Sequence, residues 1–181
     1  MVLLYILFAI IIIGIIVISF FLIASNNFNE YIIRINEAEK NIESVLNKRF
    51  DYLNKGNDVI KDEINSEEDA LNTISNIRSQ NLNNFELDKK LYNAIEEFYE
   101  CSEEYIDLKS NQDYTNIEIC IIESESEILA LKEYYNDIIK KYNALIEKIP
   151  YSLFSKIKKY TEKELFEIKD HTDLINNLKE R

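Results

Sequence analysis

The chain has 181 residues, a formal net charge of −12, two glycines, one proline and no tryptophan. So few glycines and prolines leave little turn-forming sequence for a β-sheet, and the composition is typical of a protein built from long helices. The negative charge argues against nucleic-acid binding, because phosphate recognition needs clustered lysine and arginine side chains.

The N-terminal segment of residues 2–24, which we call the apolar segment, carries no charged side chain. As a helix it would be about 34 Å long, enough to cross a hydrocarbon core of ~30 Å with modest tilt. A cleaved signal peptide is the alternative, but it requires a basic N-terminal region and a shorter apolar core of ~7–15 residues. The sequence therefore predicts a transmembrane anchor at residues 1–25 that contacts the lipid bilayer through residues 2–24.

The chain after the anchor begins with polar residues 25–27 and then returns to apolar residues at helical spacing. Steps of three, four or seven residues connect Phe28, Ile32, Ile35, Ile42, Leu46, Phe50 and Leu53. Such a stripe is typical of an amphipathic helix. No glycine or proline interrupts residues 26–55, so we expect a helix near 26–64 that continues from the anchor, with Gly56 as its weakest point.

Three further helices are expected near residues 66–80, 85–106 and 111–149. Ser66 is the predicted N-cap of the first, and Ser110 or Asn111 that of the last, because their side-chain oxygens can accept hydrogen bonds from free backbone amides. Pro150 should end the longest helix, since it disfavours helical geometry in the residue before it. The predicted buried stripes consist of Ala70, Leu71, Ile74 and Ile77; of Leu87, Leu91, Ile95, Phe98 and Cys101; and of Ile117, Ile121, Ile128, Leu131, Tyr135, Ile138, Tyr142, Leu145 and Ile149.

A series of short motifs covers most of the chain from residue 28 to residue 168. The series consists of Lys48-Arg49-Phe50-Asp51; Glu67, Leu71, Ile74 and Arg78; Glu104-Tyr105-Ile106-Asp107-Leu108-Lys109-Ser110-Asn111; Tyr135-Asn136; Tyr142-Asn143; Ile149-Pro150; and Phe166-Glu167. In order and spacing, these motifs resemble those of the bacterial LemA family. The resemblance implies an N-terminal transmembrane segment followed by an antiparallel helical bundle, and it brings no agreed reaction, substrate or catalytic residue.

Together with the helix pattern, the resemblance leads to a predicted fold for the whole chain. The fold is all-α, with an N-terminal transmembrane helix followed by an antiparallel four-helix bundle that has a long first helix. The bundle is placed at residues 26–168, and residues 169–181 are expected to form a frayed tail.

Three charged side chains are candidate polar contacts between the helices of this bundle. Arg49 and Asp51 lie on the first helix and Arg78 lies on the second. We expect ion pairs from these residues to orient helices rather than to perform chemistry.

Two Tyr-Asn pairs are candidate interaction residues on the last long helix. Tyr135 and Tyr142 are seven residues apart and share one face, with Asn136 and Asn143 on the adjacent face. The four side chains could form a recognition surface. The stronger interpretation is that they are interior residues, with tyrosine rings in the core and asparagine amides bonded to tyrosine hydroxyls or to the backbone of neighbouring helices.

The sequence lacks the residue combinations that catalysis or metal binding would need. A carboxylate-bridged metal site in a bundle requires Glu-x-x-His motifs on facing helices, whereas the single histidine is His171 in the predicted tail. A Ser-His or Cys-His nucleophile pair inside the fold is unsupported for the same reason. The chain is therefore predicted not to be an enzyme and to have no catalytic, cofactor-binding or metal-binding residues.

Charge is distributed unevenly along the chain. Residues 86–127 include 13 acidic residues and three lysines, whereas residues 140–163 include seven lysines and two glutamates. The basic part could face anionic lipid or an acidic partner. Lys156, Lys158 and Lys159 are candidate membrane-surface contacts, provided that the segment after Pro150 folds back toward the anchor.

The distribution of basic residues also predicts the membrane orientation. Lysines and arginines close to a span tend to remain on the cytoplasmic side. None precedes the apolar segment, and Arg34, Lys40, Lys48 and Arg49 follow it. We therefore expect a single-pass protein of the cell membrane with its N-terminus outside and its bundle in the cytoplasm.

The predicted function is that of an envelope-associated adaptor or scaffold that binds an unidentified protein. The alternative is a membrane-coupled sensor whose bundle binds a small ligand and transmits a helix shift to the anchor. An adaptor should have a tight core and an exposed groove or patch, and a sensor should have a polar-lined cavity between helices. Because Gly14 has no small residue four positions away, the anchor is not expected to dimerise strongly, and any oligomer should form through the bundle or its long first helix.

Overall fold

The structure, a computed structural model, describes residues 1–65, 71–78 and 80–169, and every regular element in these ranges is a helix. In chain order the elements are α1 (Val2–Ile64), α2 (Asn72–Arg78), α3 (Asn84–Glu104), a 3₁₀ helix (Ile106–Ser110), α4 (Gln112–Glu147) and α5 (Tyr151–Lys158). The predicted all-α class is confirmed.

Helix α1 contains the apolar segment and continues without a break for 63 residues. Neither the polar residues 25–27 nor Gly56 interrupts it. Most large side chains of the apolar segment are exposed, and its most apolar stretch is 0% buried within the protein. In the described part of the chain, α1 alone is long and apolar enough to cross a membrane.

The chain forms two compact units. The first unit comprises Met1–Glu37 and Tyr135–Leu165, and the second comprises Ala38–Tyr134 and Phe166–Arg181. Each unit has buried aromatic and aliphatic side chains of its own.

The core of the first unit is an aromatic cluster around Phe28. The ring centroid of Phe28 lies 4.8 Å from that of Tyr160, 5.6 Å from that of Phe154 and 6.0 Å from that of Tyr142. Aromatic pairs at such distances contribute roughly 0.5–1.5 kcal/mol each beyond the burial of their area. The cluster therefore fastens α5 and the end of α4 to the part of α1 that follows the apolar segment.

The core of the second unit is built mainly from the predicted apolar stripes. Its buried side chains include Ile42, Leu46, Leu53, Leu71, Ile74, Ile77, Leu91, Ile95, Phe98, Ile117, Ile121 and Ile128. Six other members of the predicted stripes of the chain are only half-buried: Ile32, Phe50, Leu87, Cys101, Leu131 and Leu145. The prediction was wrong for Ile149, which is 80% exposed, because α4 ends at Glu147, before Pro150.

Two asparagines define the starts of the longer helices after α1. Asn83 accepts a hydrogen bond from the backbone N–H of Glu86, whose side chain accepts one in return from the backbone N–H of Asn83. Such a capping box satisfies two backbone donors at a helix N-terminus. The Asn111 side-chain oxygen likewise accepts from the backbone N–H groups of Asp113 and Tyr114, at 2.9 and 3.1 Å. The predicted N-cap at Asn111 is confirmed.

The boundaries of the second helix differ from the prediction. Helix α2 begins at Asn72 and ends at Arg78, rather than extending over 66–80. Just before it, the buried Asn57 side chain of α1 accepts a hydrogen bond from the backbone N–H of Leu71, at 2.9 Å. A contact with a distant residue thus marks the start of this helix. The expected cap at Ser66 lies outside the described residues, as do residues 170–181 of the expected frayed tail.

Gly56 serves close packing rather than flexibility. A Cβ atom at this position would lie 2.7 Å from a ring carbon of Phe98 on α3. The Phe98 ring is fully buried and stacks on Tyr114, with ring centroids 4.5 Å apart. The Tyr114 hydroxyl also donates to the backbone carbonyl of Phe98, at 2.9 Å, so the ring has little room to move away.

We expect Gly56→Ala to destabilise the protein by about 1 kcal/mol. Alanine gains ~1 kcal/mol in helix propensity, but overpacking against a fixed ring costs roughly 1–3 kcal/mol. The measurement is urea unfolding of the full chain in detergent micelles. Gly14→Ala is the matched control, because a Cβ there meets no atom within 4 Å. Stabilisation by Gly56→Ala, or no rescue by added Phe98→Leu, would contradict this account.

Candidate functional site

Helix α5 packs against the C-terminal end of the apolar segment. The ring centroid of Phe154 lies 5.5 Å from that of Phe21, and that of Tyr151 lies 5.8 Å from that of Phe20. The Asn27 amide adds a hydrogen bond to the Tyr151 hydroxyl, at 3.1 Å. The segment after Pro150 therefore folds back toward α1, which was the condition for the predicted membrane contact.

The outer face of α5 carries both apolar and basic side chains. Leu153 and Ile157, four residues apart, are each 62% exposed. Lys156, Lys158 and Lys159 are exposed as well. A short helix with this composition is of the kind that lies in a membrane interface. The contact of the three lysines with lipid stays a prediction.

Two open clefts lie beside the contact between α5 and the apolar segment, and residues of both line each cleft. The larger, of about 600 Å³, is lined by Ile16, Val17, Phe20, Phe21, Pro150, Leu153, Lys156 and Ile157. The smaller, of about 280 Å³, is lined by Val17, Ile18, Phe21, Leu22, Ser25, Phe154 and Lys158. Each cleft therefore has almost entirely apolar walls and a single lysine.

The Tyr-Asn pairs lie mostly inside the protein. Tyr135, Asn136 and Tyr142 are buried, and burial raises the pKa of the Tyr142 hydroxyl, with a further contribution from Tyr160. Asn143 is half-buried and makes two hydrogen bonds with the backbone of Lys163: its amide donates to the carbonyl at 2.9 Å, and its oxygen accepts from the N–H at 3.0 Å. These positions favour the interior interpretation over a recognition surface.

Among residues 1–65, 71–78 and 80–169, the most deeply buried ion pair joins α1 to α4. A guanidinium nitrogen of Arg49 lies 2.5 Å from a carboxylate oxygen of Glu125, and both side chains are at most 6% exposed. The sequence indicated Arg49 but not Glu125. Asp51, expected to take part in such pairs, is instead exposed on α1. Arg78 lies on α2, and its side chain is outside the described part of the chain.

A second buried pair was also missed. The Lys132 ammonium lies 2.7 Å from a carboxylate oxygen of Asp88, with 5% and 13% of the two side chains exposed. Glu125 lies three residues before Ile128, and Lys132 lies four residues after it. Both therefore occupy the predicted buried stripe of α4. A charged residue at a position of the apolar stripe is thus the sequence feature that indicates Glu125 and Lys132.

The end of α3 and the following 3₁₀ helix present an exposed acidic surface, which consists of Glu103, Glu104, Tyr105, Ile106 and Asp107. Tyr105 is 38% exposed and Ile106 is 74% exposed. Glu104 raises the pKa of the Tyr105 hydroxyl, because a nearby carboxylate disfavours the phenolate. Exposed apolar side chains flanked by carboxylates are suited to contact with a basic, partly apolar partner.

The reactivity of Cys101 should report the negative charge of this surface. Burial raises the pKa of its thiol, and Glu104, Glu97 and Glu100 raise it further. Because the thiolate is the reactive form, Glu104→Gln should lower that pKa and speed alkylation of Cys101 at pH 8. The increase should shrink as salt is added. The measurement is mass spectrometry in a Cys120→Ser background, and an unchanged rate at low salt would contradict the assignment.

Within residues 1–65, 71–78 and 80–169, no group of three or more His, Cys, Asp or Glu side chains converges in a way that could hold a metal ion. Comparison with curated proteins gives no match. The model of the LemA family matches residues 38–178.

Proposed function

The chain belongs to the LemA family, and we propose that it is a single-pass, membrane-anchored helical-bundle protein that serves as an adaptor or scaffold in the cell envelope. The proposal rests on two different parts of the molecule. The apolar segment provides the anchor, because it is long enough to span a bilayer and 0% of its most apolar stretch is buried. The exposed side chains of the acidic surface in the second unit support the binding of a protein partner.

Contacts within the second unit support an antiparallel four-helix bundle. Between α1 and α4, Arg49 contacts Glu125 and Glu63 contacts Asn111. The later residue of α1 therefore contacts the earlier residue at the start of α4. From α3 to α4, Asp88 pairs with Lys132, and Tyr114 bonds to the carbonyl of Phe98. From α2 to α3, the backbone N–H of Thr73 donates to Glu97 and, just after α2, Gln80 accepts from Lys90. In all three pairs the contact order reverses, as antiparallel neighbours require.

The adaptor role rests on the exposure of Ile106. This side chain, 74% exposed on a short 3₁₀ helix, has acidic neighbours at Glu104 and Asp107. Burying an isoleucine at an interface contributes about 1.5–3 kcal/mol, and the carboxylates would select a basic partner.

Photo-crosslinking in living cells tests the adaptor role. A photoreactive amino acid at Ile106 should give a discrete protein adduct, and neutralising Glu103, Glu104 and Asp107 should abolish it. Tyr134 is the control position, because it is 51% exposed but lies on α4, away from the acidic surface. Identical adducts from both positions, or none from Ile106, would contradict the proposal.

One alternative is a membrane-coupled sensor whose bundle binds a small ligand and transmits a helix shift to the anchor. The observation that supports it is that α1 extends as one helix from Val2 to Ile64. Ligand binding stabilises the folded state by mass action. A sensor should therefore melt at a higher temperature in the presence of the low-molecular-mass fraction of a cell extract, whereas an adaptor should not respond.

We propose that the N-terminus lies outside and the bundle in the cytoplasm. Arg34, Lys40 and Lys48 are exposed on α1 after the apolar segment, in agreement with this orientation. The test is labelling of intact cells with a membrane-impermeant maleimide, in a background without Cys101 and Cys120. A cysteine replacing the exposed Glu162 should react only after lysis. Reaction before lysis would place the bundle outside.

A further inference from the structure

The larger cleft between α5 and the apolar segment has the walls of a hydrocarbon site. Its volume of about 600 Å³ is within the range of small-molecule sites, roughly 300–1,000 Å³. Lys156 is the one charged residue among its eight lining residues. Water would find few hydrogen-bond partners on such walls, so an apolar occupant is favoured.

The position of the cleft along α1 indicates which layer of a bilayer would surround it. Its α1 walls, from Ile16 to Phe21, precede the end of the apolar segment at Ala24 by three to eight residues. At ~1.5 Å per residue, this is about 5–12 Å from that end. In a spanning orientation the cleft therefore opens into the acyl-chain region just below the headgroups, and the exposed Leu153 and Ile157 face the same region.

Charge identifies the kind of headgroup. Residues 148–161 contain four lysines and no acidic residue. Lys156 lines the larger cleft and Lys158 lines the smaller one, so an ammonium group accompanies each apolar groove. Lysine side chains extend from an apolar region to place their charge at the headgroup level, where each contributes about 1 kcal/mol of attraction to anionic lipid.

We propose that the larger cleft binds a membrane phospholipid with an anionic headgroup, one acyl chain packing against Phe20, Leu153 and Ile157 and the phosphate binding Lys156. This site depends on the proposed membrane anchoring. It gives α5 a role that neither the anchor nor the acidic surface supplies: selection of the lipid that surrounds the protein. A zwitterionic phospholipid and a second copy of the chain are the competing occupants.

A single tryptophan provides a local probe, because the chain contains none of its own. The full-length variant Leu153→Trp is reconstituted in vesicles that contain acyl-brominated phosphatidylglycerol or, at equal mole fraction, acyl-brominated phosphatidylcholine. We expect the anionic lipid to quench the tryptophan about fivefold more effectively, the factor that corresponds to ~1 kcal/mol. Ile157→Trp repeats the measurement from the other apolar residue of α5, in case the first variant folds poorly.

Matched variants connect the preference to Lys156. Lys156→Gln should remove the preference for the anionic lipid, Lys156→Arg should retain it, and Lys140→Gln, at an exposed position on α4 outside the cleft, should leave it unchanged.

The outcomes separate this site from membrane anchoring itself. Equal quenching by both lipids would overturn selection of an anionic headgroup, and quenching by neither lipid would indicate a cleft covered by a second copy. In both cases flotation of the protein with the vesicles would leave the anchoring intact. A protein that does not float with vesicles would overturn both the anchoring and the lipid site.

Discussion

Glu125→Leu is expected to lower the free energy of unfolding by about 3–5 kcal/mol. The substitution leaves the guanidinium of Arg49, 4% exposed, without the carboxylate that lies 2.5 Å from it. Removing one partner of a buried ion pair is far more costly than the pair is stabilising, because the remaining charge is desolvated without compensation. Urea unfolding of the full chain in detergent micelles measures the change.

Glu127→Leu is the matched control for this prediction. Glu127 lies on the same helix, but its side chain is 51% exposed and its oxygen is 3.9 Å from the Lys48 ammonium. An exposed pair of this kind contributes about 0–1 kcal/mol. Adding Arg49→Met to Glu125→Leu should recover much of the lost stability, since the uncompensated charge is then gone. Equal effects of Glu125→Leu and Glu127→Leu would show that the buried pair is not important for stability.

Ile128→Asp is expected to abolish the cooperative thermal unfolding transition at pH 7. Ile128 is 0% exposed, and burial of an unpaired carboxylate costs several kcal/mol in a protein whose total stability is of order 5–15 kcal/mol. Because burial disfavours the charged form, the penalty should be present at neutral pH and decrease as the pH falls and the new carboxyl group takes up a proton.

An exposed position on α4 distinguishes the cost of burying the carboxylate from the cost of placing aspartate in a helix. Ile119→Asp places the same side chain on the same helix, but Ile119 is 48% exposed, so we expect a cooperative transition close to that of the unmodified protein. Calorimetry of both variants in micelles provides the comparison. A cooperative transition in Ile128→Asp would show that the second unit is not held together by this side of α4.

Local sequence patterns predicted the long helices but not the buried ion pairs between them. Apolar spacing located α1, α3 and α4, and the cap at Asn111 followed from its side-chain chemistry. Glu125 was missed because charged side chains lie on solvated surfaces far more often than in cores, although its spacing from Ile128 places it on the buried stripe. Only the three-dimensional structure shows that Arg49 lies opposite Glu125.

The start of α2 and the position of α5 depend on contacts between residues distant in sequence. The hydrogen bond from the backbone N–H of Leu71 to the side chain of Asn57 connects the residue before α2 to α1, and no pattern around residue 66 could indicate it. In the same way, the basic composition of α5 suggested a membrane contact, but its packing against Phe20 and Phe21 required knowledge of the three-dimensional structure.

The packing of α5 on the apolar segment has a consequence for the order of events during biosynthesis. Asn27 and Tyr151, which join these two elements, are 124 residues apart. At a typical ~5–20 residues per second, the ribosome needs about 6–25 s to proceed from one to the other. The apolar segment thus leaves the ribosome and can enter the bilayer well before α5 exists. In the proposed membrane-anchored protein, α5 would therefore pack on a helix that had entered the bilayer before α5 was synthesised.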